Sequence, residues 1–387
     1  MRVLFIARYR DPSMHRKVQW MAQTPDVTIR AIYPNRWSDG LVDVAQTGAT
    51  EAGLERRVLG LIGSPTDPHR AFYRTFSFGM GGFRPHIIHA EEEPDSLAAL
   101  QIVLCRRLFA PSAKLLLHTW QNLDRPLSRA VKLVLGTTLA GADAIFCANR
   151  ESVALLRRRG YNRPTPLIPA IGVDTELFTH QPPLTGGPFV VGYVGRLVVE
   201  KGIDTLIDAV AHLQAESLPR PMHLRLIGAG AAEPVLRRRV EQAGLTETVE
   251  FLPPVPPSQI AQQMAGLDAL VLPSRTTPVW KEQLGRVLLE AMATGVPVIG
   301  SDSGAIPEVI GDAGLVFPEG DVPGLADRIG RLLADPALAA DLARRGLERA
   351  EKEYSQRVLA ARTVDFYRQI RSSNFGKSRT SSEDVLQ

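Results

Sequence analysis

Cysteine is nearly absent: Cys105 and Cys147 are the only two in 387 residues. That excludes a disulfide framework and a paired-cysteine metal site, and it fits a reducing compartment. Lysine is scarce too, 7 residues against 38 arginines, so a lysine inside a motif stands out. No long apolar run occurs. The uncharged stretch 133–142 is about half of what a membrane span needs. The opening Met1–Ala7 is broken by Arg8 and Arg10, so no secretory leader is expected either. No Asp-x-Asp is present, and the loop after the first expected strand, Arg8-Tyr9-Arg10, has no glycine. Gly and Pro, 32 and 29 residues, are close to ordinary usage and exclude collagen or bulk disorder.

What is there is globular: 44% hydrophobic and 22% charged, with length enough for two or three domains. The net charge of +4 conceals a division. Residues 1–172 hold 23 Lys and Arg against 14 Asp and Glu, a net of +9, and the remainder nets −5. A basic half suits phosphate, anionic lipid or nucleic acid, unless it is only a solvated face.

Apolar runs at Val3–Ala7, Val27–Tyr33, His86–Ala90, Lys114–Trp120 and Ala144–Asn149 alternate with helical patterns at Asp95–Leu108 and Pro126–Ala140. After residue 188 the alternation is cleaner. Strands are predicted at Phe189–Gly195, Met222–Gly228, Val249–Leu252, Ala269–Pro273, Pro297–Ser301 and Gly314–Phe317, with helices between them. Repeated βαβ units predict an α/β protein of two doubly wound, Rossmann-like domains facing each other across a cleft. The expected domains are 1–172 and 173–354. Pro, Gly and Thr gather at the join, residues 180–188. Two amphipathic helices fill 336–372, and the tail 373–387 is expected to be disordered.

The densest chemistry lies in Pro273–Gly304. A strand gives way to a Thr- and Pro-rich loop and then a helix near Leu284, whose first N–H groups form an anion seat beside Gly285. Glu282 stands before that seat. Glu290 follows eight residues later in an apolar frame, where an unpaired carboxylate is costly to bury. A second element, Gly195 through Gly202, puts Arg196 and the rare Lys201 at a strand's carboxyl end and suggests a diphosphate clamp. Gly228-Ala229-Gly230 imitates a dinucleotide fingerprint, but it lacks the third glycine and follows the domain's second strand. In the basic half, three strand-end loops stand out. They carry Arg8, Arg10, Asp11, His15, Arg16 and Lys17; Glu91, Glu92 and Glu93; and His118, Gln121 and Asn122.

With Glu282-x7-Glu290, the Arg196/Lys201 pair and the stretch ATGVPVIGSDSGAIPEV, the sequence resembles the retaining nucleotide-sugar glycosyltransferases of family 4, with the two-Rossmann-domain GT-B fold. The likeness is dense over 190–320, looser over 86–178 and weak before residue 85. It implies a hexosyltransferase with Glu282 and His118 at the donor sugar. Gly195, Arg196, Lys201, Gly228, Gly230, Leu284 and Gly285 would hold the nucleotide diphosphate, and Glu290 the ribose. Arg16, Lys17, Glu92, Gln121 and Asn122 of the basic domain become acceptor-side candidates. It further implies transfer without metal or other cofactor and a final helix (355–372) that returns to the first domain. Few cysteines and no expected leader or span point to a cytoplasmic location, and the basic half to a place at the membrane's inner face. The donor would be a UDP-sugar, or else a GDP-sugar, and the acceptor hydroxyl would belong to a glycan, a lipid-linked molecule or a small molecule. No nucleic acid is expected.

This chain departs from the family pattern in three places. The glycine pair usual in the first loop is replaced by Arg and Lys, Glu-Gly-Phe-Gly reads Glu282-Gln283-Leu284-Gly285, and Phe-Leu-Gly reads Phe251-Leu252-Pro253. Two other readings remain. A nucleotide-sugar 2-epimerase of the same fold would need acid and base carboxylates that only Glu91–Glu93 could supply. A membrane- or nucleic-acid-binding module would use the basic half and have no need of Glu282-x7-Glu290.

Overall fold

A computed structural model describes residues 1–9, 12–38, 43–45, 48–64, 69–180 and 186–372. Arg10, Asp11, most of the join at 180–188 and the tail expected to be disordered lie outside these residues.

The apolar runs of the first half assemble one sheet. Its strands lie in the order Ala144–Cys147, Lys114–Thr119, Ile87–Glu91, Arg2–Ala7, Thr28–Pro34, Leu54–Leu59 and Ala49–Glu51, and only the last pair is antiparallel. Central strands such as VLFI at 3–6 are wholly buried, as a parallel sheet covered on both faces requires. Leu54–Leu59 was not among the predicted strands. Its sequence, LERRVL, carries Glu55, Arg56 and Arg57, which near a sheet edge can reach solvent and break the apolar signal.

The second sheet is all parallel, in the order Val249–Leu252, Met222–Ile227, Phe189–Val194, Ala269–Leu272, Val298–Ser301 and Gly314–Phe317. Read in chain order this is 3-2-1-4-5-6, the doubly wound arrangement. Val191, Leu270, Ile299 and Leu288 form the centre of its core. The chain crosses between domains twice, and the crossings touch. Val173 N–H donates to the Tyr354 carbonyl at 2.9 Å, and Gln356 N–H donates to Val173 at 2.9 Å. A Cβ at Gly172 would stand 2.0 Å from the Tyr354 carbonyl oxygen, so only glycine permits this approach.

The last helix, Gln356–Ser372, then returns to the first domain. Leu359, Val364, Tyr367 and Ile370 join Phe5 and Phe146 in one core, and the Tyr367 hydroxyl meets His89 Nδ1 at 2.5 Å.

Candidate functional site

In the second sheet the strand order reverses between Phe189–Val194 and Ala269–Leu272. The loops leaving these two strands form a crevice where such sheets bind ligands. Backbone contacts fix the loops to each other. Leu197 N–H donates to the Ala229 carbonyl at 2.9 Å and Arg275 N–H to Glu200 at 2.8 Å. A Cβ on Gly228 would lie 1.9 Å from the Gly195 carbonyl oxygen, and one on Gly230 would lie 2.2 Å from that of Leu197. Both glycines are therefore required by loop-on-loop packing, which accounts for the Gly-x-Gly spacing without a dinucleotide.

On this frame Lys201 and Glu282 meet. Lys201 Nζ stands 2.6 Å from Glu282 Oε2, and the buried Ser274 hydroxyl donates to that oxygen at 2.9 Å. The ammonium also lies 4.7 Å from the centre of the Trp280 ring. Arg196 is half exposed, 3.9 Å from Glu200, and its carbonyl is held by the Tyr193 hydroxyl at 2.7 Å. Glu290 is paired with Arg286 one helical turn back, at 2.9 Å. The helix Arg286–Ala293 starts after Gly285 at φ 72° with no side-chain cap, and Leu284 is buried beneath it. Ser96, Ser128, Asn149, Asp321 and Asp335 cap other helices with their side chains, while the helices Ile203–Gln214, Glu233–Gln242 and Pro257–Ala265 also start without one. The uncapped amide groups beside two cations suit an anion.

The first domain grips the segment that carries Glu282. Asn122 Nδ2 donates to the Glu282 carbonyl at 2.8 Å, Asn149 Nδ2 to that of Gln283 at 2.7 Å, and Lys281 pairs with Glu151 at 2.6 Å. Ala305 N–H also donates to the Glu282 carbonyl, at 3.0 Å, and a Cβ on Gly304 would lie 2.1 Å from that oxygen. Trp120 packs on the second domain's core, while His118 lies beneath it, rings 5.1 Å apart. Burial, with Lys17 nearby, depresses the His118 imidazole to about 3, so it is neutral at ordinary pH. Its Nε2 is buried without a partner.

The other first-domain candidates lie apart from this contact. Lys17 is buried and paired with Glu91 at 2.6 Å, and Glu92 is paired with Arg8 at 2.7 Å and accepts from the Tyr73 hydroxyl at 3.1 Å. Arg16 pairs with Asp174 at 3.3 Å and with Glu176. Gln121 donates to Asp95 at 2.9 Å. Glu93 accepts from Trp120 N–H and the Thr119 hydroxyl, both at 2.7 Å, and burial raises its pKa to about 7. All three carboxylates that a 2-epimerase reading would need are thus engaged inside the domain. A cavity of about 410 Å³ opens elsewhere on this domain, between Arg125, Leu127, Lys132, Leu139 and Arg159.

Sequence reasoning missed Ser274, Trp280, Asn149, Glu151 and Lys281. Asn149 was the most legible of them, since it precedes Arg150-Glu151-Ser152 as a helix cap does. Its Oδ1 accepts from Ser152 N–H at 2.8 Å while its amide reaches across to the second domain. Among the described residues, no cluster of three or more His, Cys, Asp or Glu side chains could hold a metal ion, and no helix is long and apolar enough to cross a membrane.

The family described as glycosyl transferases group 1 matches residues 174–349. A GDP-mannose-dependent alpha-(1-6)-phosphatidylinositol monomannoside mannosyltransferase of Mycolicibacterium smegmatis is 33% identical over 207 residues, covering 50% of this chain and 54% of that relative. The putative colanic acid biosynthesis glycosyltransferase WcaL of Salmonella typhimurium is 30% identical over 194 residues, 49% of this chain and 47% of that one. The chain thus spans about half the length of the curated relatives it matches. Among solved structures, sucrose-phosphate synthase of Thermosynechococcus elongatus superposes with a TM-score of 0.72 at 22% identity, over 98% of this chain and 100% of that one. HepE of Anabaena, solved in complex with UDP, gives 0.72 at 19% identity, over 95% and 100%. Both are GT-B proteins. Residues 174–349 are therefore a glycosyl transferases group 1 domain, set in a chain with the two-domain GT-B fold.

Proposed function

We propose that the chain is a retaining hexosyltransferase that moves a sugar from a nucleoside diphosphate donor to an acceptor hydroxyl without a metal ion. The observation that carries this reading is the Lys201–Glu282 pair at 2.6 Å, set between Arg196 and an uncapped helix start. Bond breaking at the anomeric carbon passes through an oxocarbenium-like state while negative charge grows on the departing diphosphate. Arg196, Lys201 and the amide groups after Gly285 face that charge, which is where fixed donors lower a barrier. Glu282 then orients the sugar hydroxyls, and the neutral His118 offers Nε2 from the other domain. Glu290 takes the ribose. The bond from the anomeric carbon to the diphosphate oxygen breaks, the acceptor oxygen bonds to the same face, and the acceptor's proton passes to the diphosphate.

The donor is a UDP- or GDP-sugar. GDP-mannose is the donor in the name of the Mycolicibacterium relative, and UDP is the nucleotide bound to HepE. The acceptor is a glycan or a lipid-linked molecule, taken up by the first domain at the membrane's cytoplasmic face.

Incubation of the purified protein with GDP-mannose, UDP-glucose and ADP-glucose, followed by mass spectrometry of released nucleotide, tests this reading. Turnover of one donor is expected, unchanged by a chelator and abolished in Glu282→Ala. No binding or turnover of any donor would sink it. A requirement for added metal would remove its metal-independent part.

A further inference from the structure

Three consecutive residues of the first domain, Asn149, Arg150 and Glu151, each take a partner in the second. Asn149 Nδ2 donates to the Gln283 carbonyl at 2.7 Å, Arg150 N–H to the Glu308 carboxylate at 2.9 Å, and Glu151 accepts from Lys281 Nζ at 2.6 Å. They stand where the strand Ala144–Cys147 passes into the helix Arg150–Arg158. The contacts differ in kind. The side chains of Glu151 and Lys281 are 39% and 21% exposed, so that pair adds little adhesion. Asn149 is 1% exposed, and both ends of its amide are committed. Its Oδ1 accepts from Ser152 N–H at 2.8 Å and from the Ser152 hydroxyl at 2.9 Å, which caps the helix and leaves the Nδ2 end to face Gln283.

The bond to Gln283 fixes a peptide plane. In a trans peptide a carbonyl and the following N–H point in opposite directions. Holding the Gln283 carbonyl from the first domain therefore turns Leu284 N–H away from that domain, toward the second. Asn122 does the same for Gln283 N–H through the Glu282 carbonyl. Among the described residues no acceptor takes the N–H groups of Gln283, Leu284 or Gly285. Successive backbone N–H groups left open in this way make an anion-binding concavity.

We propose that Asn149 is a positioning residue for the donor diphosphate, a buried side chain of the first domain that sets the Gln283–Leu284 peptide so that its N–H meets the anion. Resting on the donor reading above, this role adds a first-domain residue to a seat built on the second domain. Glu151 stands two residues further on but reaches the Lys281 side chain and no peptide group of the seat, which makes it the natural comparison.

Calorimetric titration of GDP and UDP into the full chain and its variants, with a melting curve of each, tests it. Asn149→Ser keeps a helix cap but is too short to reach Gln283. Asn149→Asp keeps both shape and cap and replaces the donor with an acceptor. Both should melt near wild type, and either one decides the question should the other fail to fold. Each should lose about tenfold in affinity for the nucleotide that wild type binds, roughly the loss of one hydrogen bond to a charged group. Glu151→Ala, which removes a neighbouring contact between the domains, should stay within about twofold of wild type. Wild-type affinity in the folded Asn149 variants, or an equal loss in Glu151→Ala, would overturn the proposal. Failure of wild type to bind either nucleotide would sink the donor reading, and this role with it, so the two failures are told apart.

Discussion

At the switch point of the first sheet, Arg8 is turned onto Glu92 at 2.7 Å and Lys17 onto Glu91 at 2.6 Å, both pairs buried beneath Tyr9, Tyr33 and Tyr73. At the switch point of the second, Arg196 is half exposed, Lys201 pairs with Glu282 and is 15% exposed, and glycines bring the loops together. The six parallel strands follow the same order in both domains, the first adding one antiparallel edge strand, yet the contents of the crevices differ. Cations are paired with carboxylates in both, but the pairs of the first are fully buried, while Arg196 and, to a lesser degree, Lys201 of the second keep access to solvent. Topology offers the crevice, and the residues that fill it decide whether a ligand can enter.

That contrast predicts where substitutions act. In the first domain the largest effect should fall on stability. Lys17→Met or Glu91→Leu leaves one buried charge unpaired and should cost about 3–5 kcal/mol in urea unfolding. The double variant should recover most of that loss, because the unpaired charge is gone. In the second domain the effect should fall on chemistry. Lys201→Ala removes a donor to the leaving diphosphate and should lower kcat per folded molecule by about 10²–10³, or 2.7–4 kcal/mol, on top of the stability lost by leaving Glu282 to Ser274 alone. A large loss of stability in Lys201→Ala with normal turnover per folded molecule would erase the distinction.

A third, smaller effect concerns Glu93, which ties the Thr119–Trp120 segment to the first sheet. Burial raises its folded pKa to about 7. The native state therefore keeps a proton that the unfolded state releases near the ordinary carboxylate value. The stabilisation is complete below the ordinary value and is lost as pH rises through about 7. Melting temperatures from pH 4.5 to 7.5 should fall more steeply for wild type than for Glu93→Gln, whereas parallel curves would contradict this. Smallest of all, Asn122→Ala deletes one neutral hydrogen bond to the Glu282 carbonyl. About 1 kcal/mol, roughly fivefold in kcat/KM, is expected from steady-state rates.

The second domain was the more legible in the sequence because its signals are local. Val/Ile/Leu strands such as 298–301 end in short loops, and Glu282, Gly285 and Glu290 share one stretch of chain. The crevice between its loops needed only the strand order. The first domain was harder to read because its polar residues are paired over long range. Lys17 and Glu91 are 74 residues apart, and Tyr367 reaches His89 from the far end of the chain. Lys17 and Glu92 read as acceptor-side candidates in the sequence, since nothing nearby in the chain marks a buried ion pair. The contact of Asn122 and Asn149 with the Glu282 segment was hidden for the same reason.

The central claim is that the nucleoside diphosphate is held at the second switch point and not at the basic first domain. Calorimetric titration of GDP and UDP into wild type, Lys201→Ala and Arg16→Ala tests it directly. The account predicts that one nucleotide binds wild type and Arg16→Ala alike and loses at least tenfold in affinity for Lys201→Ala. Equal affinity in wild type and Lys201→Ala, with the loss appearing in Arg16→Ala, would contradict it.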